Sequence, residues 1–107
     1  MSYDIGLTID KGGPEPATVS GGRNMTSNVA PMWRLAGADL AEFHGKTAGD
    51  CLPVLRAAIA DMEDNPGKYE PLNPDNGWGS YETCLGFLRE LAGDFAAHPK
   101  ATVAVWR

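Results

Sequence analysis

The chain has 107 residues, of which 43% are hydrophobic, 21% charged and 8% aromatic, the content of one ordinary globular domain. No run approaches the roughly 18–20 unbroken apolar residues that a membrane span needs, and two cysteines cannot staple a disulfide scaffold. With 9 lysines and arginines against 14 acids the net charge is −5, and Gly (13) with Pro (8) predicts a large share of loop.

The charge is uneven. Between residues 39 and 94 eleven acids face only Lys46, Arg56, Lys68 and Arg89. Lys11, Arg23, Arg34, Lys100 and Arg107 lie in the flanks. Such a body repels phosphate backbones, so nucleic acid is not an expected partner. Docking on a basic protein fits the sign, although solubility alone explains it more simply. The first residues show neither a basic nor an apolar leader segment. Cys51 and Cys84 lack metal or redox spacing and sit on apolar helix faces. A cytoplasmic location is the expectation, with no membrane partner.

Residues 3–10 alternate, with Tyr3, Ile5, Leu7 and Ile9 on one side and Asp4, Gly6, Thr8 and Asp10 on the other, which predicts a half-buried strand. Residues 11–16 read as a loop. Residues 17–19 read as a short returning strand ended by Gly21 and Gly22. Residues 24–37 predict an irregular entry and then a short helix. Pro31 is acceptable only in its first turn, and Val29, Met32, Trp33 and Ala36 share a face. A long helix follows from Thr47, its cap, to about Asn65, with Ala48, Cys51, Leu52, Leu55, Ala58, Ile59 and Met62 in one stripe. Pro53 predicts a kink, or a start nearer Asp50. A second long helix runs from Ser80 to about His98, with Tyr81, Cys84, Leu85, Leu88, Leu91, Ala92 and Phe95 on its apolar face. Residues 101–106 alternate again as a strand. The two long helices match at an offset of 33, from Cys51 on Cys84 to Pro66 on Pro99, which fits either a duplication or two solutions to one amphipathic problem.

The expected fold is a single α+β domain over residues 1–107. A small antiparallel sheet of two or three strands, with the N- and C-terminal strands adjacent, is packed on one face by two long helices and one short one. A homodimer would support so small a core and cover a strand edge.

Phosphate-loop, dinucleotide, zinc-protease and nucleophile-elbow motifs are absent. His44 and His98 have no ligand-spaced neighbours. No metal, cofactor or catalytic residue is expected, and the chain reads as a non-enzyme. Two loops carry more than connection. In the first, Asn24, Ser27 and Asn28 precede Trp33, and their polar groups suit either capping or an anion or carbonyl ligand. The second, residues 65–79, is long for such a domain and ends in Asp75, Asn76, Gly77, Trp78 and Gly79. Trp78 either plugs the core or presents a flat amphipathic ring to a ligand or partner. If the loops meet, Trp33, Trp78 and Tyr81 wall a pocket with Asn24, Asn28, Asp75 and Asn76 as polar groups. On the last helix, Gly86, Glu90 and Gly93 lie opposite the core stripe and form a candidate self-association face.

Residues 3–16, the Thr-Ser-Asn-Val-x-x-Met-Trp run at 26–33, the Asn-Pro-x-Asn-Gly-Trp-Gly-x-Tyr-Glu run at 73–82 and the His-Pro-Lys-x-Thr segment at 98–102 resemble a family of small uncharacterised proteins of actinobacteria and their bacteriophages. The resemblance covers nearly the whole chain and brings no activity, cofactor or assigned site. It implies a phage-borne or horizontally mobile origin, which favours host takeover or counter-defence over metabolism as the expected setting. The leading expectation is thus a non-catalytic protein that engages a host protein. The alternatives are a protein that sequesters a small nucleotide-like ligand and, last, an enzyme with a cryptic site.

Overall fold

A computed structural model of the chain describes residues 2–9 and 17–107. The strand β1 (Ser2–Ile9) pairs antiparallel with both β2 (Ala17–Thr26) and β3 (Thr102–Trp106). The order is β2-β1-β3, so the first strand is central and the N- and C-terminal strands are neighbours. Alternation does its expected work. Tyr3, Ile5, Leu7 and Val103 are buried, while Asp4 and Trp106 stand exposed on the other face. Asp10 and the loop at 11–16 lie outside the described residues.

The second strand is longer than its sequence advertises. Gly21 and Gly22 fall inside it, where the register shifts from Ile5↔Arg23 to Leu7↔Ser20 and again to Thr8↔Thr18. Glycine is tolerated where an extra residue bulges from an edge strand. The pair therefore marks an irregularity, and Asn24 belongs to β2 where an irregular helix entry was expected.

Thr26 caps a 3-10 turn, Ser27–Val29, by accepting from the Asn28 N–H at 3.3 Å, and α1 (Ala30–Leu35) follows with Pro31 in its first turn. Thr47 caps α2 (Ala48–Asp64) in the same way, through the Asp50 N–H at 3.3 Å. Pro53 does not delay this helix. Its first N–H groups find acceptors outside, Ala48 on the Ala101 carbonyl at 2.8 Å and Gly49 on the Pro99 carbonyl at 2.7 Å. The start is anchored to β3's approach, and the proline forfeits only the bond to the Gly49 carbonyl.

Helical turns also form outside the expected helices, one in a stretch to which the sequence assigned no element and one in the segment read as a loop. Leu40–Phe43 forms a 3-10 turn that buries Leu40 and Phe43. Residues 65–79 begin with α3 (Pro66–Tyr69) and a 3-10 turn, Glu70–Leu72. Tyr69 is fully buried and donates its hydroxyl to the Asp61 carboxylate, which also pairs with Lys68 at 2.9 Å. These bonds, the tyrosine's first, hold the Asp61 carboxyl below its usual range.

The last helix, α4 (Tyr81–Ala97), opens with a capping box between Ser80 and Thr83. It packs on α2, and the two match at their ends as well as in sequence. Asn65 and His98 close them with φ of −134° and −133°, each N–H returning 3.0 Å to the carbonyl of Asp61 or Asp94. Leu55 and Leu88 are both fully buried. None of the helices is long and apolar enough to cross a membrane, among the described residues.

Cys51 and Cys84 are free and buried, and burial pushes the Cys84 thiol up to about 12. A folded-state value above the unfolded one, roughly 8.5, favours the fold fully below that pH and loses the advantage as pH rises through the folded value. Urea melts should show wild type losing about 2 kcal/mol more than Cys84→Ala between roughly pH 8 and pH 10.5.

The sheet's two edges differ. Along β3, the Gly45 N–H donates to the Val103 carbonyl at 2.9 Å, and the Val103 N–H donates to the Lys46 carbonyl at 2.8 Å. The Val105 N–H donates to His44 Nδ1 at 2.9 Å. The chain thus closes its own β3 edge.

Candidate site at the corner of β2 and the Trp78 loop

The loop before α4 is seated against the start of α1. A Cβ on Gly79 would stand 2.7 Å from Val29 Cγ1 and 2.8 Å from Thr26 Cγ2, and its φ is +94°. Only glycine meets both demands. Asn76 Oδ1 accepts from the Trp78 N–H at 2.9 Å, and Asn73 Oδ1 accepts from the Tyr81 N–H at 2.7 Å. Held at these points, the loop leaves Trp78 69% exposed. Its ring is presented to solvent rather than folded back on the core.

Beside the ring lies an open groove of about 440 Å³ lined by Ser2, Asn24, Thr26, Asn28 and Trp78. Asn24 donates its amide to Asp4 Oδ1 at 2.8 Å across the exposed sheet face. The Asn28 side-chain amide has no hydrogen-bond partner among the described residues, while its backbone N–H is held by Thr26. Ser27 lines a neighbouring groove of about 480 Å³ with Ser2, Tyr3 and Arg107. There Arg34 donates to the Tyr3 hydroxyl at 3.0 Å, and the Arg107 guanidinium lies 6.0 Å from the Tyr3 ring centroid.

Asn24, Asn28 and Trp78 therefore come together, but Trp33 and Tyr81 do not wall the groove. Trp33 is fully buried, edge-on to Tyr3 at 5.0 Å and 6.1 Å from Phe87, with no hydrogen-bond partner for its indole N–H among the described residues. Its place in the Val29 and Met32 stripe commits it to the core. Tyr81 stacks on Tyr69 and donates its hydroxyl to the Met62 carbonyl at 2.6 Å. Asn76 is used in its own turn, and Asp75 is exposed outside the lining. Ser2 and Thr26 are additions. The Ser2↔Thr26 and Asp4↔Asn24 pairs place them on one face, a relation visible only once β2 is known to reach Thr26.

On α4, Glu90 is tied to Arg23 at 2.8 Å, and the same guanidinium forks onto Asp94 at 2.6 and 3.0 Å. A Cβ at Gly86 or Gly93 would meet nothing within 4 Å. Each glycine-to-alanine change should therefore raise stability by about 1 kcal/mol in a thermal melt. A loss of stability instead would reveal a second molecule packed on this face.

No protein-family model matches the chain, and neither a curated protein nor a solved structure matches it. The site's chemistry must be read from its own atoms. No group of three or more His, Cys, Asp or Glu side chains among the described residues is placed to hold a metal. His44 is engaged by β3 and His98 closes α4. What the corner offers is an exposed aromatic ring, hydroxyls and amides.

Proposed function

We propose that the chain is a non-catalytic binding protein, phage-borne, that engages a host protein through the Trp78 corner. The observation that carries this reading is an indole left 69% exposed by a loop fixed at Asn73, Asn76 and Gly79. Keeping so large an apolar ring in water forgoes roughly 2–3 kcal/mol of burial. With the loop backbone tied at those three points, a partner that covers the ring has less chain to order, the property of an interface anchor. The acidic body, net −5, adds attraction toward a basic partner.

The test is recovery of one host protein that binds the purified wild type stoichiometrically. Trp78→Ala should weaken that complex at least tenfold without lowering the melting temperature. Equal binding by the variant would remove the reading. A second reading, sequestration of a small nucleotide-like ligand, is favoured by the Asn28 amide, which no described residue engages, in a groove of about 440 Å³. It predicts a nucleotide-dependent rise in melting temperature that Trp78→Ala abolishes.

A further inference from the structure

We infer that the corner binds its partner by strand addition: an extended, basic segment of another protein pairs with the outer edge of β2 beside Trp78. This rests on the protein-binding reading above and specifies how that site works. The hydrogen-bond phase of the sheet decides which backbone groups of β2 point outward. Val103 turns both its backbone groups away from β1, to Gly45 and Lys46. Because neighbouring residues of a strand alternate sides, Ala104 and Trp106 face β1 and pair with Gly6 and Asp4. Tyr3 and Ile5 must then face β2, where their partners are Met25 and Arg23. Asn24 and Thr26 are consequently turned outward, and no described residue takes up the Asn24 backbone N–H or carbonyl.

A long open edge is a template for another strand, and folds ordinarily cover or distort it. This chain covers β3 and distorts the first part of β2 with two register shifts, leaving the ladder from Arg23 to Thr26 regular. That regular stretch supplies Asn24 and Thr26 to the groove beside Trp78. A side chain alternating out of an added strand would reach the indole, so an apolar or aromatic residue suits that position. Among the described residues no lysine or arginine lines the groove, and Arg107 belongs to the neighbouring one. Asp75 is exposed in the Trp78 loop, and the net charge is −5. The remaining residues of the segment are therefore expected to be basic.

The probe is a randomised ten-residue peptide library displayed and selected on the immobilised chain. The enriched peptides are then titrated against Trp78→Ala, Asn24→Ala and Asn24→Pro. Proline at 24 removes the outward N–H without touching a bond to β1, whereas alanine removes only the side chain. The expected result is enrichment of alternating apolar and basic sequences, at least tenfold weaker on Asn24→Pro and Trp78→Ala and within twofold on Asn24→Ala. Should Asn24→Pro fail to fold, amide exchange on wild type decides. The Asn24 N–H exchanges freely in the unbound chain and becomes protected with peptide. Loss on Trp78→Ala alone would overturn strand addition and leave the Trp78 surface standing, whereas loss on neither variant would overturn both. No enrichment, or a wild-type dimer that Asn24→Pro dissolves, would also overturn it, the latter assigning the edge to a second copy.

Discussion

Replacing Gly79 with alanine should lower stability by about 3 kcal/mol, which for a domain of this size is a fall of roughly 10–20 °C in melting temperature. Two costs add. The residue sits at φ +94°, and its new Cβ would press on Val29 Cγ1 and Thr26 Cγ2 at 2.7 and 2.8 Å. Neither neighbour can swing away easily, since Val29 is fully buried and Thr26 caps the turn into α1. Gly77 separates the two terms. It has φ +76° but open space around the added carbon, so Gly77→Ala should cost about 1 kcal/mol, the backbone term alone. Circular-dichroism melts of both variants check the difference, and equal losses would mean that the contact with α1 is not what fixes the loop. Any partner binding through Trp78 should weaken in Gly79→Ala more than in Gly77→Ala, because only the former pushes the loop off its seat.

The second large effect belongs to Trp33. Truncation to alanine empties the space between Tyr3 and Phe87 and should cost roughly 3–5 kcal/mol, a large part of the 5–15 kcal/mol that holds a typical domain together. Trp33→Phe should behave differently. It loses one ring's worth of contact but also removes a buried N–H that has no hydrogen-bond partner among the described residues, whose burial costs about 1–3 kcal/mol. The net loss should be near 1 kcal/mol. Denaturant unfolding of the two variants tests this. A Phe variant as damaged as the Ala variant would show that the indole N–H is well accommodated by its aromatic neighbours.

Much of the scaffold was legible because its signals were local. Alternation around Ile5 and Val103, and the stripes from Cys51 to Met62 and from Cys84 to Phe95, each name one buried face. Thr47 and Ser80 announce their helices through side chains that reach only three residues. What escaped was decided by distant partners. Pro53 argued against a start at Ala48, but the carbonyls of Pro99 and Ala101 supply the missing anchorage. Gly21 and Gly22 looked like an end and are an irregularity, since β1 continues opposite them. Tyr69 was hidden in a segment whose prolines suggested only loop, although Pro66 stands in the first turn of α3, where proline starts helices readily.

The candidate site was legible in the same uneven way. Asn24, Asn28 and Trp78 stood out as polar and aromatic residues with no apolar periodicity to absorb them. Trp33 carried two messages, large aromatic and member of a helical stripe, and the stripe prevailed because an indole facing the core gains burial at once. Thr26 and Ser2 gave no signal of their own, being small residues whose importance comes from what lies across the ladder.

The unequal flanks of the sheet also bear on aggregation. Lateral growth into a fibre requires a docking surface on each side of every unit, so that each new arrival offers a fresh one. Here the His44–Thr47 segment occupies one side, so among the described strands the β2 edge is the one left for backbone pairing: two molecules joined there consume each other's vacancy, and lateral growth stops.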